Sequence, residues 1–549
     1  MKTKIHYWFV FLLSIFLLTT GCSSNPPLNT VVSAHGNMDW HVDTAQEFLF
    51  GTDMDGATSA ANHCPDTWSR GHMHIGMTNT ARYYHDKDKA TPGDDADIVN
   101  GIDRTMLFFY AGHGSPESWD TLGDHATQSS MQLADWSIWD IANSGRLRYY
   151  WQCSCEVFAH GPRECEGYTG WFDYACPEDF DGSADSVDMR NVYERWGPAL
   201  SKNLRLACGA STPAYCHEDQ MNKIWNNYNN NGYGVADSFI DGLDFWDVVP
   251  LCIALGGSDV TTSPLYDATF TNERNTSGTS HYHIQFLTGF GSTPRFLIAD
   301  IHVPELLPII EVRPLPIPEK WRAKEMEKKE DAIMVTTDKV KDQPVRVKVD
   351  RTSGAIYVQG ERKKTVAKEK MLKEADYIDR AMDLLKDLGL YEEHYAPPTG
   401  KQTMIESRPV KGEAKDIVRS LKGVSITLKR QIDIDGQKIN VLGEGGTITV
   451  EMNHDGSIVN ASKVWREIAS KKDMVRVKSY DQAYEEAVKQ IPESQAYKLQ
   501  RWNFGYKEAT GNVTQTELKI VFQFVFVPTD RKAIREFPPR IIEIPGQEE

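Results

Sequence analysis

The sequence predicts an α/β fold, a mostly parallel sheet sandwiched by helices, followed by smaller α+β modules. Between about residues 32 and 300, short apolar runs alternate with segments of helical periodicity, which is the pattern of β-α-β units. A proline-rich stretch then interrupts this pattern. Beyond residue 332, hairpin patterns precede amphipathic helices, which is typical of helices packed on an antiparallel sheet.

The N-terminus predicts export and a lipid anchor. The first residues are positively charged, the apolar run over 7–18 is short for a membrane span, and small residues precede Cys22. This arrangement resembles the bacterial lipoprotein signal, in which the cysteine is acylated and becomes the mature N-terminus, although Thr19 stands where that signal has leucine. The resemblance implies a signal peptide over 1–21 and a tether over 22–32. The alternative is an ordinary secretory signal cleaved nearby.

The expected location is therefore the bacterial cell envelope, with the lipid anchor in the outer membrane or at the cell surface, or else in the periplasm. The formal net charge of −17 argues against a nucleic-acid partner, because phosphate contacts need a basic face. A chain of 549 residues is too long for one core and predicts several domains. The expected partners are a peptide or protein substrate and, through the N-terminal lipid, a membrane.

Cysteines are confined to the first half of the chain. Setting Cys22 aside from the nine leaves eight, an even number that permits four disulfides and no free thiol in an oxidising compartment. If one of them is a nucleophile, at least one other must also be unpaired. The pairing cannot be deduced from the sequence. The eight cysteines are Cys64, Cys153, Cys155, Cys165, Cys176, Cys208, Cys216 and Cys252.

Two apolar runs each end close to a reactive side chain. The first run ends at His113 and the second at Cys155, with a helical pattern over 130–143 between them. This β-α-β pattern predicts parallel strands that are adjacent or nearly so. Because such sheets bind ligands at their carboxyl edge, the imidazole and the thiol are expected at one edge, where histidine can activate cysteine as a nucleophile.

An apolar strand ending in His-Gly, followed about forty residues later by a strand ending in a small residue and cysteine, resembles the caspase, gingipain and legumain superfamily of cysteine peptidases. The resemblance covers 33–300 and implies a caspase-like sheet sandwiched by helices. It also implies that His113 is the general base or acid. Gly114 would lend its backbone N–H to the oxyanion hole, where glycine lets a substrate approach closely.

Two cysteines compete as the nucleophile. The superfamily usually has a small residue directly before it, and Ser154 precedes Cys155. The caspase signature places glutamine two residues before the cysteine, whereas Gln152 is adjacent to Cys153 and three residues before Cys155. Since residues two apart on a strand point to the same face, Cys153 stays the alternative nucleophile.

The resemblance implies hydrolysis of peptide bonds through a thioester, without a metal or cofactor. Short polar clusters around Asp53, His72 and Cys216 lack the complete spacing of a zinc or calcium site, so no metal is predicted. Because a fold does not fix a function, the alternative is a catalytically inactive lipoprotein that uses the same scaffold for binding, with its cysteines in disulfides.

Residues 301–331 are predicted to be a proline-rich and charged linker, because repeated X-Pro steps favour extended chain. Two α+β modules are predicted beyond it, over 332–410 and 411–549. Each contains a hairpin pattern followed by an amphipathic helix, and the second also contains a strand that alternates over 518–526.

This weak repeat is similar to the PepSY-like modules of exported bacterial proteins and of some protease propeptides. That similarity implies an inhibitory, chaperone-like or interaction role, which would make the C-terminal region an intramolecular partner of the first half. A plain structural module is the alternative interpretation.

Overall fold

The structure is a computed structural model, and it describes the chain in segments. Most of the second half is covered, whereas the first half is covered in short stretches. The described residues are 30–35, 78–81, 107–111, 118–120, 130–132, 149–153, 158, 192–200, 204–210, 220, 223–224, 227–228, 232–244, 248, 250–266, 279–289, 301–322, 327–328, 333–364, 366–367, 372–412, 416–491, 494–511, 513–529 and 540–548.

Strands make up most of these residues. The first half contributes β1 (Thr30–His35), β2 (Thr78–Ala81), β3 (Leu107–Ala111), β4 (Ser118–Asp120), β5 (Ser130–Gln132), β6 (Tyr149–Cys153), β7 (Leu206–Ala210), β8 (Pro250–Gly256) and β9 (His281–Gly289). The second half contributes β10 (Leu306–Arg313), β11 (Glu327–Lys328), β12 (Ile333–Val340), β13 (Gln343–Asp350), β14 (Ile356–Gln359), β15 (Val366–Ala367), β16 (Thr399–Pro409), β17 (Val418–Lys429), β18 (Gln431–Ile434), β19 (Gln437–Leu442), β20 (Thr447–Met452), β21 (Ile458–Val464), β22 (Glu467–Arg476), β23 (Tyr497–Lys507), β24 (Glu517–Pro528) and β25 (Arg540–Pro545). The described α-helices are α1 (Val192–Leu200), α2 (Val235–Leu243), α3 (Glu319–Arg322), α4 (Glu374–Leu388) and α5 (Tyr480–Lys489).

The predicted fold class, a caspase-like, mostly parallel sheet sandwiched by helices, is wrong. The described residues form a mostly β structure around a large mixed sheet with the order β11-β12-β13-β14-β21-β20-β17-β16-β9-β8-β7-β6-β3-β1-β2. Neighbours are parallel from β2 to β7 and antiparallel from β7 to β11. Continuous apolar runs report burial on both faces and not strand direction. Strand β8 illustrates this, because it is buried throughout yet antiparallel to both of its neighbours.

The prediction of two adjacent parallel strands is confirmed within this mixed sheet. Strand β3 pairs directly with β6, from Leu107 beside Tyr149 to Ala111 beside Cys153. The predicted helix over 130–143 is wrong at its start, where Ser130–Gln132 forms β5 and pairs with β4. The rest of that segment lies outside the described residues.

The two halves of the chain are joined through β9 and β16. These strands form an antiparallel ladder from His281 beside Pro409 to Gly289 beside Lys401. One hydrophobic core runs beneath both halves. Its buried members include Tyr150, Leu251 and Ile284 from the first half and Val347, Leu385 and Val424 from the second.

A smaller sheet follows, with the order β18-β19-β23-β24-β10-β22 and with β25 also paired to β24. Its strand β10 lies inside the segment predicted as a linker and pairs with β22. The ladder shifts register between Pro308 and Ile310. Proline cannot donate a backbone hydrogen bond, so it is tolerated at such an irregularity.

The predicted hairpins and helices of the second half are confirmed. The hairpins are β13–β14 and β20–β21, the helices are α4 and α5, and the alternating strand is β24. The β20–β21 turn ends at Gly456, whose φ of 78° favours glycine. Helix α5 starts with a capping box, in which Ser479 and Gln482 satisfy each other's backbone N–H groups.

Candidate functional site

The predicted catalytic residues lie at the carboxyl ends of β3 and β6. Ala111 and Cys153 are the last paired residues of these strands. His113, Gly114 and Cys155 follow shortly after and lie outside the described residues, as does Cys22. The structure therefore brings the two strands together, and it describes the backbone of Cys153 but not the side chains of the proposed dyad.

Packing beneath this edge is aromatic. Tyr150 and Trp151 of β6 are fully buried. The ring of Tyr150 lies 5.3 Å from that of Trp196 in α1, and the ring of Trp151 lies 5.6 Å from that of Phe239 in α2. Large buried rings limit how far a strand can move, so this packing holds β6 in a fixed position in the sheet.

Two of the eight cysteines are joined. Cys208 of β7 and Cys252 of β8 are directly opposite each other in the antiparallel ladder and form a disulfide. Both side chains are fully buried. Removing this pair from the eight leaves six, so the remaining number is still even.

A buried charged network lies where α2 meets the large sheet. Its centre is Asp237 of α2, whose two carboxylate oxygens accept hydrogen bonds from Lys422 Nζ at 2.7 Å and 2.8 Å. The same ammonium donates to the carbonyl oxygen of Leu265 at 2.6 Å and to Gln285 Oε1 at 3.0 Å. Because the Lys422 side chain has no exposed surface, it depends on these acceptors in place of water.

Arg362 extends this network to a second carboxylate. Its Nη2 lies 3.1 Å from Asp237 Oδ2 and 2.6 Å from Glu451 Oε1, and Asn460 Nδ2 donates to Glu451 Oε2 at 2.9 Å. Burial acts to raise the pKa of Asp237, but Lys422 and Arg362 outweigh it and lower that pKa. Burial dominates at Glu451, whose pKa is raised despite Arg362.

The network is internally matched, with two cations facing two carboxylates. Its members come from α2, β17, β20 and the segment after β14. The ion pairs therefore hold the first half of the chain against the second. We did not predict these residues from the sequence. The available signal was an isolated charge inside an apolar strand, such as Lys422 between Leu421 and Val424.

His283 of β9 makes a second polar contact across the same junction. Its Nε2 lies 2.9 Å from the carbonyl oxygen of Gly257, which can only accept, so Nε2 carries the proton. Nδ1 then accepts from the Ser407 hydroxyl at 2.7 Å. Burial lowers the pKa of His283 to about 4, which makes this imidazole a weak base at neutral pH. The pair therefore serves as a cross-strand hydrogen bond.

The described segments contain neither a metal-ligand cluster nor a membrane-spanning helix. In those segments, no group of three or more histidine, cysteine, aspartate or glutamate side chains is arranged to hold a metal ion. Nor do they include a helix that is long and apolar enough to span a membrane.

Comparison with known proteins assigns no family. No family model matches the chain, and no curated protein matches it. An uncharacterized protein from Eubacterium rectale is similar over 44% of this chain and 83% of its own, with 7% identity and a TM-score of 0.23. The Bacillus megaterium YpeB C-terminal domain is similar over 42% of this chain and 87% of its own, with 12% identity and a TM-score of 0.22. TM-scores this low carry no argument about fold or function.

Proposed function

We propose that this protein is an exported, lipid-anchored cysteine peptidase whose dyad is His113 and Cys155. The observation that carries the proposal is the register of β3 and β6, which pairs Ala111 with Cys153. His113 follows Ala111 by two residues, and Cys155 follows Cys153 by two. Equal offsets beyond paired positions on neighbouring parallel strands favour two residues that face each other, because such strands lie about 4.8 Å apart.

In the proposed reaction, His113 takes the proton of the Cys155 thiol, and the thiolate attacks the scissile carbonyl carbon. The backbone N–H of Gly114 stabilises the oxyanion. His113 then returns the proton to the leaving amine as the C–N bond breaks and a thioester remains. Water, deprotonated by His113, attacks the thioester and releases the carboxylic acid and the free thiol.

Export is part of the proposal, with residues 1–21 removed, Cys22 acylated and the mature protein held at the cell envelope. The Cys208–Cys252 disulfide supports this location, because disulfides persist mainly in oxidising compartments. The proposed partner is a peptide or protein substrate and not a nucleic acid, in keeping with the net charge of −17.

We also propose that the second half, as a PepSY-like region, is the intramolecular partner of the half that carries the dyad. The ladder between β9 and β16 supports a lasting association. So does the buried contact of Lys422 with Asp237, since breaking it would leave charges unpaired in the protein interior.

The second candidate function is a catalytically inactive lipoprotein that binds a partner and keeps all its cysteines in disulfides. The observation that favours it is the even number of cysteines left once Cys208 and Cys252 are joined. Cys153 and Cys155 would then each have a partner and no thiolate.

Mapping of free thiols separates the two functions. Folded soluble protein that lacks residues 1–22 is treated with iodoacetamide without reductant, and labelled cysteines are located by mass spectrometry. A peptidase predicts rapid labelling of Cys155, or of Cys153 as the alternative nucleophile, that slows in a His113→Ala variant. The matched control is His281→Ala, which should leave the labelling rate unchanged. Finding both cysteines in disulfides would overturn the peptidase and leave the binding lipoprotein.

A further inference from the structure

We infer that the second half of the chain is a permanent partner of the first, which stays bound when the chain between β9 and β10 is cut. The surface of the first half that holds it is formed by α1, α2 and β9, here called the junction surface. Its occupant is the segment 359–422 of the same chain. The inference deepens the proposed association of the two halves. It does not depend on peptidase activity, because it concerns only the release of the second half.

The junction surface is covered by residues that lie far along the chain from β9. After β9 the chain enters β10, which pairs with β22 and β24 in the smaller sheet. The partner of β9 is β16, which begins only at Thr399. A cut between β9 and β10 therefore leaves the contacts of the junction surface intact.

Strand β9 is an interior strand because β16 covers it. It pairs with β8 on one side and, from His281 to Gly289, with β16 on the other. Its middle is apolar, and Ile284 and Phe286 are buried. Without the second half, the nine residues of β9 would form an open edge, which in folded proteins is covered or protected because it invites aggregation.

Apolar packing also continues across the junction. Tyr193, Ile284 and Phe286 of the first half belong to the same cluster of buried side chains as Met404 and Val424 of the second. Met404 lies directly beside Phe286 in the ladder. Release would return apolar surface on both sides to water, which is unfavourable. Interfaces that resemble a core cut in half are typical of obligate complexes.

Buried polar contacts make the junction surface specific for this occupant. The hydroxyl of Tyr193 in α1 donates to Glu406 Oε1 in β16 at 2.6 Å, and both residues are buried. Asp237 of α2 accepts from Lys422 of β17. An occupant without a carboxylate opposite Tyr193 and an ammonium opposite Asp237 would bury these groups unpaired, which is costly.

The position of the cysteines makes the inference testable without ambiguity. All nine lie between Cys22 and Cys252, and the sequence beyond Cys252 contains none. No disulfide can therefore link the two fragments after a cut between β9 and β10. Any association that remains is non-covalent, even without reductant.

The test is a cut in the folded protein that lacks residues 1–22. The recognition sequence of a site-specific protease is inserted after His302, which is exposed between β9 and β10. Two bands on a denaturing gel show complete cleavage. At micromolar concentration we expect both fragments in one gel-filtration peak at the volume of the uncut protein, with the mass of a one-to-one complex by native mass spectrometry. Elution in separate peaks would overturn the inference.

A second insertion keeps the test decisive if the first prevents folding. It follows Arg313, at the exposed end of β10. Each insertion variant is used only if, before cleavage, it unfolds at the temperature of the parent protein.

Matched variants show whether the junction surface is what holds the fragments. Tyr193→Phe removes the donor to Glu406 and should speed the exchange of isotope-labelled second fragments into excess unlabelled cut protein about tenfold. Tyr377→Phe removes a hydroxyl that donates to the carbonyl oxygen of His454 at 2.8 Å within the second half, so exchange should keep its rate. Equal exchange rates in the two variants would overturn the assignment of the junction surface.

Discussion

Lys422 Nζ lies 2.7 Å and 2.8 Å from the two carboxylate oxygens of Asp237, across 185 residues of sequence. Asp237 belongs to the half of the chain that carries the proposed dyad, and Lys422 lies on a strand of the second half. The β9–β16 ladder joins the same two halves. The second half is therefore built into the sheet of the first.

Lys422→Met should destabilise the protein by about 3–5 kcal/mol, because it leaves Asp237 buried with fewer partners. The unfolding free energy from urea titration measures this. The matched control is Arg313→Met, which removes one member of the exposed Arg313–Glu467 pair and should have little effect. Similar losses in the two variants would contradict a special role for the buried pair.

Acid should destabilise the fold through His283. Burial lowers its pKa to about 4 from 6.5, so the unfolded chain binds more protons between these values. The stability contributed by neutral His283 is complete above pH 6.5 and is lost as the pH falls towards 4, by up to about 3 kcal/mol. Urea titrations at pH 7.5 and 4.5 measure the loss. The loss of unfolding free energy between these two pH values should be smaller in His283→Gln and unchanged in His281→Gln. An unchanged loss in His283→Gln would show that His283 is not its source.

Reduction of the Cys208–Cys252 disulfide should lower the unfolding free energy by about 2–4 kcal/mol. Thermal or urea unfolding with and without dithiothreitol measures the effect, and alkylation followed by mass spectrometry confirms which bonds opened. The effect of reductant should be smaller in a Cys208→Ala/Cys252→Ala double variant, which has already lost this crosslink. Labelling of both cysteines in the folded, unreduced protein would contradict the pairing.

Gly354→Ala should be more destabilising than Gly436→Ala. Both glycines have positive φ, 77° and 86°, so each substitution carries about 1–2 kcal/mol of backbone strain. A Cβ at Gly354 would also overlap the backbone of Leu315, whereas a Cβ at Gly436 would meet nothing within 4 Å. The difference between their urea-derived free energies isolates the steric clash, and equal values would refute it.

Local pattern was enough to predict the elements of the second half. Every second residue of β24 from Leu518 to Phe526 is apolar, α5 carries Tyr484 and Ala487 at helical spacing, and the β20–β21 turn ends at Gly456. Each signal depends on neighbours in the sequence, and the structure confirms each of them. The adjacency of β3 and β6 was also predictable, because a single crossover connects them.

Strand direction and distant pairing were not predictable from such signals. An apolar run such as that of β8 is the same for a parallel or an antiparallel strand when both faces are buried, which is why the predicted fold class is wrong. Nothing in the sequence near β9 indicates that its partner is β16. That choice depends on the packing of the whole core.

The sequence by itself determined the local elements and the candidates His113 and Cys155, because periodicity, turns and motif spacing are properties of neighbouring residues. Only the tertiary structure decided which distant charges meet. Asp237 and Lys422 became partners only when helix α2 packed against the large sheet that both halves of the chain build, since burial makes charges depend on each other.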